Sequence, residues 1–238
     1  MIDTADSVFV LFSAIIVLFM TPALAIFYAG LANKSLAPTM LMQNFFAIPL
    51  LTVVWALLGF SLAFGDNALG GFVGGIDFMF LQADFTAASD LAPAIPLALF
   101  FVLQATFAII TPALMTGAVL GRTRILPLSL FLVLWSLLIY CPVVHWVWGG
   151  GFLSQLGYFD FAGGVPVHMI AGFSALAAVL ALGSRSKPKD GPSSLPLVAI
   201  GAGILWIGWF SFNSSGALTA GDPTPLIIMN TLLASSVG

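Results

Sequence analysis

Charge is what this sequence has least of: 6% of its 238 residues are ionised at neutral pH, against 61% that are hydrophobic. With a mean hydropathy of +1.14, that scarcity excludes a soluble globular domain, whose surface needs far more polar cover. The six basic residues form no patch that would grip nucleic acid. Cysteine occurs once, as Cys141 in an apolar run, so there is neither a disulfide framework nor a thiolate metal site, and a small packing role is expected. The first residues, MIDTADS, lack the basic start of a cleaved signal peptide, and the run from about residue 7 to 30 reads as a retained span. Alternation of apolar and polar residues, the mark of barrel strands, is missing as well.

What is present is a series of long apolar runs such as LPLSLFLVLWSLLIYCPVVHWVW. Lipid offers the backbone no hydrogen-bond partners, so such runs cross as helices. The expected fold is an all-α integral membrane protein with spans at about 7–30, 40–64, 93–120, 126–148, 160–183 and 195–217, and an incomplete seventh from Pro225 to Gly238. The basic residues fall in three loops: Lys34, then Arg122 and Arg124, then Arg185, Lys187 and Lys189. Those loops face the cytoplasm, which puts the N-terminus outside. Asp3, Asp6, Asp66, Asp77, Asp84, Asp90 and Asp222 all fall on the opposite side, leaving Asp190 inside and Asp160 at the head of the fifth span. The Gly- and Asp-rich stretch from Gly65 to Ala92 reads as a solvated outer connector.

Ionisable groups at membrane depth cost free energy, so the few that are there begin as functional candidates. Asp160 opens DFAGGVPVHMIAG, where its carboxylate can cap the helix that follows and also steady a cation nearby. Further along, Gly164, His168, Ala171 and Ala175 share one helical stripe, so the imidazole projects from a small-residue face that either packs tightly or lines a narrow passage. His145 lies in HWVWGGG beside Trp146, a candidate interface anchor, and Trp148, better placed to hold a cation against its ring. Phe107 and Phe212 stand in spans that also carry Gln104, Thr106, Asn213 and Ser214. A phenylalanine in such a chain is ordinarily packing.

The pieces MTPALAIFYAGL, QATFAIITPALMTGAVLGR, HWVWGGG, DFAGGVPVHMIAG and IGWFSFN together resemble the ammonium transporter family, the Amt/Mep/Rh group, in its order and roughly its spacing. The resemblance implies a homotrimer in the cell membrane, each subunit having its own narrow pore for ammonium or ammonia, with no cofactor and no enzymatic reaction. It places Trp148 and Phe107 in an outer vestibule, Phe107 and Phe212 at a gate, Asp160 as structural and electrostatic support, and His168 as the first of two pore histidines. Where the family tends to have Phe-Asn-x-Gly-Ser, this chain reads Phe212-Asn213-Ser214-Ser215-Gly216, so the vestibule serine contact is either lost or moved to Ser215. Ile170 stands where a smaller polar residue is common in the family.

Family members have about eleven spans in two inverted halves. On that comparison residues 1–238 are expected to be an incomplete transporter domain, lacking the second histidine and the cytoplasmic tail through which relatives meet soluble nitrogen-signalling regulators. Seven spans alone would leave His168 and its small-residue face open unless another chain covered them. An ammonium sensor joined to a signalling domain is the alternative function. An intramembrane hydrolase built on Ser214, Ser215 and His168 is disfavoured, since neither a G-x-S-x-G elbow nor an H-E-x-x-H pair is present.

Overall fold

In lipid a helix satisfies its own backbone, and the computed structural model, which describes residues 1–184 and 191–238, is built almost wholly of helices. Six are long and apolar enough to cross: α1 Thr4–Leu31, α2 Ala37–Phe64, α3 Leu97–Val119, α4 Ile125–Gln155, α5 Gly164–Leu182 and α6 Leu195–Ala217. A shorter apolar helix, α7 Thr224–Val237, follows. The spans agree with the hydropathy reading to within about three residues except on the outer side, where α4 runs on past Trp148 to Gln155 and three further features differ.

The first is the start of α3. Residues Ala92–Pro96 form a strand, not helix, because Pro93 and Pro96 bracket the segment and Pro96 takes an extended conformation immediately before the first turn. The second is the outer connector, which is more than a solvated loop. It holds two short antiparallel ladders, β1 (Asn67–Ala68) with β2 (Val73–Gly74) and β3 (Ala88–Ser89) with β4 (Ala92–Pro96). Phe78 and Phe85 turn inward onto the buried Phe60, with ring centroids 5.1 and 6.2 Å away. At its exposed tip the Thr86 hydroxyl and backbone N–H hold the Asp84 carboxyl below the usual carboxylate range. The third is α5, where residues 160 to 163 are not helical and the helix opens at Gly164 as a π turn.

The two ends of the bundle are stitched separately, in line with the charge-based topology. At the outer end Asp3 N–H donates to Ala94 O at 2.8 Å, Phe152 N–H to Gly71 O at 3.1 Å, and the Asp6 carboxylate accepts from the Thr219 hydroxyl and the Ala220 N–H, both at 2.8 Å. At the inner end Ser193 N–H donates to Ala32 O, and the Arg122 guanidinium reaches Gly183 O and Ala118 O, the carbonyls at the ends of α5 and α3. The expected cytoplasmic residues Arg185, Lys187, Lys189 and Asp190 lie outside the described residues.

α3 is the most deeply buried span and forms the centre of the bundle. It accommodates its hydroxyls by back-bonding: Thr106, Thr111 and Thr116 donate to Leu103 O, Phe107 O and Ala113 O of their own helix. Asn44 of α2 crosses to Thr116 at 3.1 Å, an interhelical bond of the kind that holds membrane helices together. α1 packs along both α3 and α6. The approach to α6 is close: a Cβ built on Gly201 would stand 2.6 Å from the backbone nitrogen of Phe27. Backbone cannot yield there as a flexible side chain could. Gly201→Val is therefore expected to force α1 and α6 apart and abolish the stably folded protein, scored as loss of the monodisperse peak in detergent; Gly203→Val, with open space around it, serves as the control.

Candidate functional site

The site begins at the start of α5. Gly163 takes φ +90°, a conformation that favours glycine, and this turns the chain so that successive N–H groups converge on one carboxylate. Asp160 Oδ1 accepts from Gly163 N–H at 2.8 Å and Gly164 N–H at 2.9 Å, and Oδ2 accepts from Val165 N–H at 2.7 Å. Asp160 thus caps the helix as expected, but from three residues before the capping position, which Gly163 occupies. Its own carbonyl accepts the Trp148 indole N–H at 2.7 Å, so one residue fixes both a helix terminus and an aromatic wall.

Beyond Trp148 the rings run inward in sequence. Trp148 and Phe107 have centroids 6.1 Å apart, Phe107 and Phe212 meet edge to face at 4.8 Å and 85°, and Phe212 lies 5.5 Å from the His168 imidazole. Phe107 and Phe212 are 4% and 1% exposed, so the two rings are packed in and shielded from water. Two cavities flank it. The outer one, about 330 Å³, is lined by Phe107, Trp148, Asp160, Phe212 and Ser215. The inner one, about 220 Å³, is lined by His168, Phe212 and mainly apolar residues of α1, α3 and α6. Phe212 lines both.

Each of the six candidates therefore lines one or other of these two cavities, which share Phe212. Ser215 is fully buried, lines the outer cavity and donates to Phe212 O at 3.1 Å. The small-residue stripe is not as expected. Ala171 is buried and Ala175 half-buried, whereas Gly164 and His168 are exposed. The π turn at Gly164–Met169 adds a residue to the first turn, so a stripe counted at α-helical spacing is broken across it. His168 lines the inner cavity and keeps part of its surface exposed.

His145 plays no part in either cavity. It is fully buried, with Nδ1 3.0 Å from Ala63 O and Nε2 2.9 Å from the Asn67 side chain, which ties α4 to the end of α2 and to β1. Trp146 is anchored by a hydrogen bond to Phe72 O and by packing against Phe72 and Phe152. Sequence reasoning missed Trp209, which stacks on His168 at 5.8 Å and 17° and on Phe212 at 5.6 Å and 25°. Its spacing of three from Phe212 on one helix face was the available signal. Of the polar neighbours, Thr106 and Ser214 back-bond within their helices and Asn213 donates to Thr231, while Gln104 lines the outer cavity.

Comparison with known proteins bears on the family and the fold. The model of the Ammonium Transporter Family matches residues 8–238. The chain is 42% identical to the ammonium transporter of Aquifex aeolicus, over 99% of its own length and 55% of that protein, and 39% identical to the ammonium transporter of Bacillus subtilis, over 98% and 57%. Its fold superposes on the crystal structure of Saccharomyces cerevisiae Mep2 with a TM-score of 0.91 at 35% identity, covering 100% of this chain and 54% of that one. A sensor Amt protein also matches, with a TM-score of 0.88 at 28% identity over 98% and 59%. The chain thus spans between half and two thirds of the length of these relatives. A multi-pass membrane chain with this bundle, these rings and these relatives belongs to the ammonium transporter family.

Proposed function

We propose that residues 1–238 form part of one transporter domain, a homotrimer-forming ammonium channel in its complete state, and that the two cavities are successive stations on its pathway. The observation that carries this reading is the sorting of the candidate residues to either side of Phe212. In the outer cavity the faces of Trp148 and Phe107 attract a compact cation, with Ser215 beside them and the Asp160 side chain behind the wall. Moving a hydrated ion past the Phe107–Phe212 contact would strip its water at a cost of many kcal/mol, whereas a neutral amine pays little. Ammonium is thus recruited outside and divides at the contact into ammonia, which passes as the neutral species, and a proton, which the His168 imidazole accepts and passes inward, so one charge crosses with each ammonia. The chemistry is transport and no bond of a substrate other than N–H changes, so we do not read the chain as an enzyme.

Ammonium pulses applied to proteoliposomes holding the complete transporter test this directly. An inward current that saturates with ammonium is expected. His168→Ala should lower that current at least tenfold, the scale of losing one positioned proton-transfer group, with the assembly intact by size exclusion. Wild-type current in His168→Ala would remove the imidazole from the mechanism. A sensor with the same fold is among the structural relatives, but at lower identity than the transporters. Transport is therefore the reading we hold, and binding of ammonium without current would reverse the choice.

A further inference from the structure

Gln104 stands one helical turn before Phe107 on α3, and its side chain lines the outer cavity. It is 8% exposed, and its amide oxygen is buried with no hydrogen-bond partner among the described residues. Buried acceptors are normally paired, and one without a donor costs free energy. Other polar groups at this cavity are engaged within the chain: the Asp160 carboxylate by three backbone amides, the Trp148 indole by Asp160 O, and the Ser215 hydroxyl by Phe212 O. Among these, Gln104 alone has a buried acceptor that no donor has claimed. The last torsion of a glutamine is broad and roughly two-fold, so the amide can turn its oxygen toward a guest without leaving its rotamer.

We propose that Gln104 is a specificity-determining residue for ammonium, its amide oxygen accepting a hydrogen bond from an ammonium N–H in the outer cavity while the rings of Phe107 and Trp148 hold the charge. This rests on the reading of that cavity as the ammonium station. A ring face attracts any compact cation, so aromatic walls alone discriminate poorly. A single directed acceptor suits an ion that carries N–H groups, whereas a bare spherical ion such as potassium asks for a shell of oxygens.

The test is an ammonium titration of the current in proteoliposomes, repeated with potassium as competitor. In Gln104→Leu the half-saturating ammonium concentration is expected to rise on the order of tenfold, as for loss of one hydrogen bond to a charged group, with the maximal current unchanged and potassium competing more strongly. An unchanged half-saturation overturns the proposal. So does a fall in maximal current alone, the signature of a packing role. If Gln104→Leu does not assemble, Gln104→Glu decides: it keeps an acceptor, so a half-saturation at or below wild type supports the proposal and one above it overturns it. Absence of any wild-type ammonium current overturns the reading of the cavity and the proposal with it. That failure is distinguishable, because in every other outcome the wild-type current is present.

Discussion

Replacing Asp160 with alanine is expected to abolish ammonium-driven current and to destabilise the protein by about 3–5 kcal/mol. The estimate follows from three backbone N–H groups losing a charged acceptor at once, each worth about 1–3 kcal/mol and not fully additive. The damage should be local and then spread. Without the carboxylate the turn at Gly163 has no reason to hold its conformation, the carbonyl that receives the Trp148 indole moves with it, and the outer cavity loses a wall. Asp160→Asn separates the two roles. It keeps an acceptor oxygen but not the charge, so a thermal midpoint between wild type and Asp160→Ala with little current would assign the charge to the cation. Full current in Asp160→Asn would leave Asp160 a capping role only, and full current in Asp160→Ala would remove it from the pathway altogether. Thermal unfolding of the detergent-solubilised protein and proteoliposome current, measured on the same preparations, give both answers.

Phe212→Ala carries the second large effect. Phe212 is 1% exposed, packs on Phe107, Trp209 and His168, and lines both cavities. Truncating it costs about 3–5 kcal/mol of packing. More telling is what it removes: with the ring gone the cavities merge and a continuous file of water becomes sterically allowed. The variant should pass potassium, which wild type should refuse, and its current should lose its ammonium dependence. Phe107→Ala should leak less, because Phe212 still separates the two spaces. Refusal of potassium by Phe212→Ala would place the barrier elsewhere in the path.

Much of this fold was legible in the sequence because hydropathy and charge act on long segments. A run of twenty apolar residues has few alternatives in a bilayer, and loops bearing Lys34 or Arg122 sort themselves by side. Phase within a span was harder. Along α5 nearly every residue is apolar, so no polar face marks rotation, and a π turn that shifts the register by one residue at His168 leaves no trace in composition. The strand at Ala92–Pro96 was hidden for a related reason: its residues are as apolar as those of the helix they precede, and only the two prolines hinted that the helix starts later. At the site, Asp160 stood out because a carboxylate at the edge of the membrane has few structural excuses. Trp209 did not, because one more aromatic in IGWFSFN looks like packing until His168 is seen lying flat against it.

The fastening of Asp6 to Thr219 and Ala220, with α1 lying along α6 behind it, also sets the order of events during synthesis. The two partners are 213 residues apart in the chain. At a ribosomal rate of about 5–20 residues per second, the face of the first span that meets α6 waits roughly 10–40 s in the bilayer before that helix arrives. For that interval Gly30 and the ring of Phe27 face lipid or the insertion machinery, and the outer mouth of the pathway has no far wall. The earliest-made helix can thus settle against α2 and α3 while its other face still waits, and the nascent chain stays open on that side until α6 closes it.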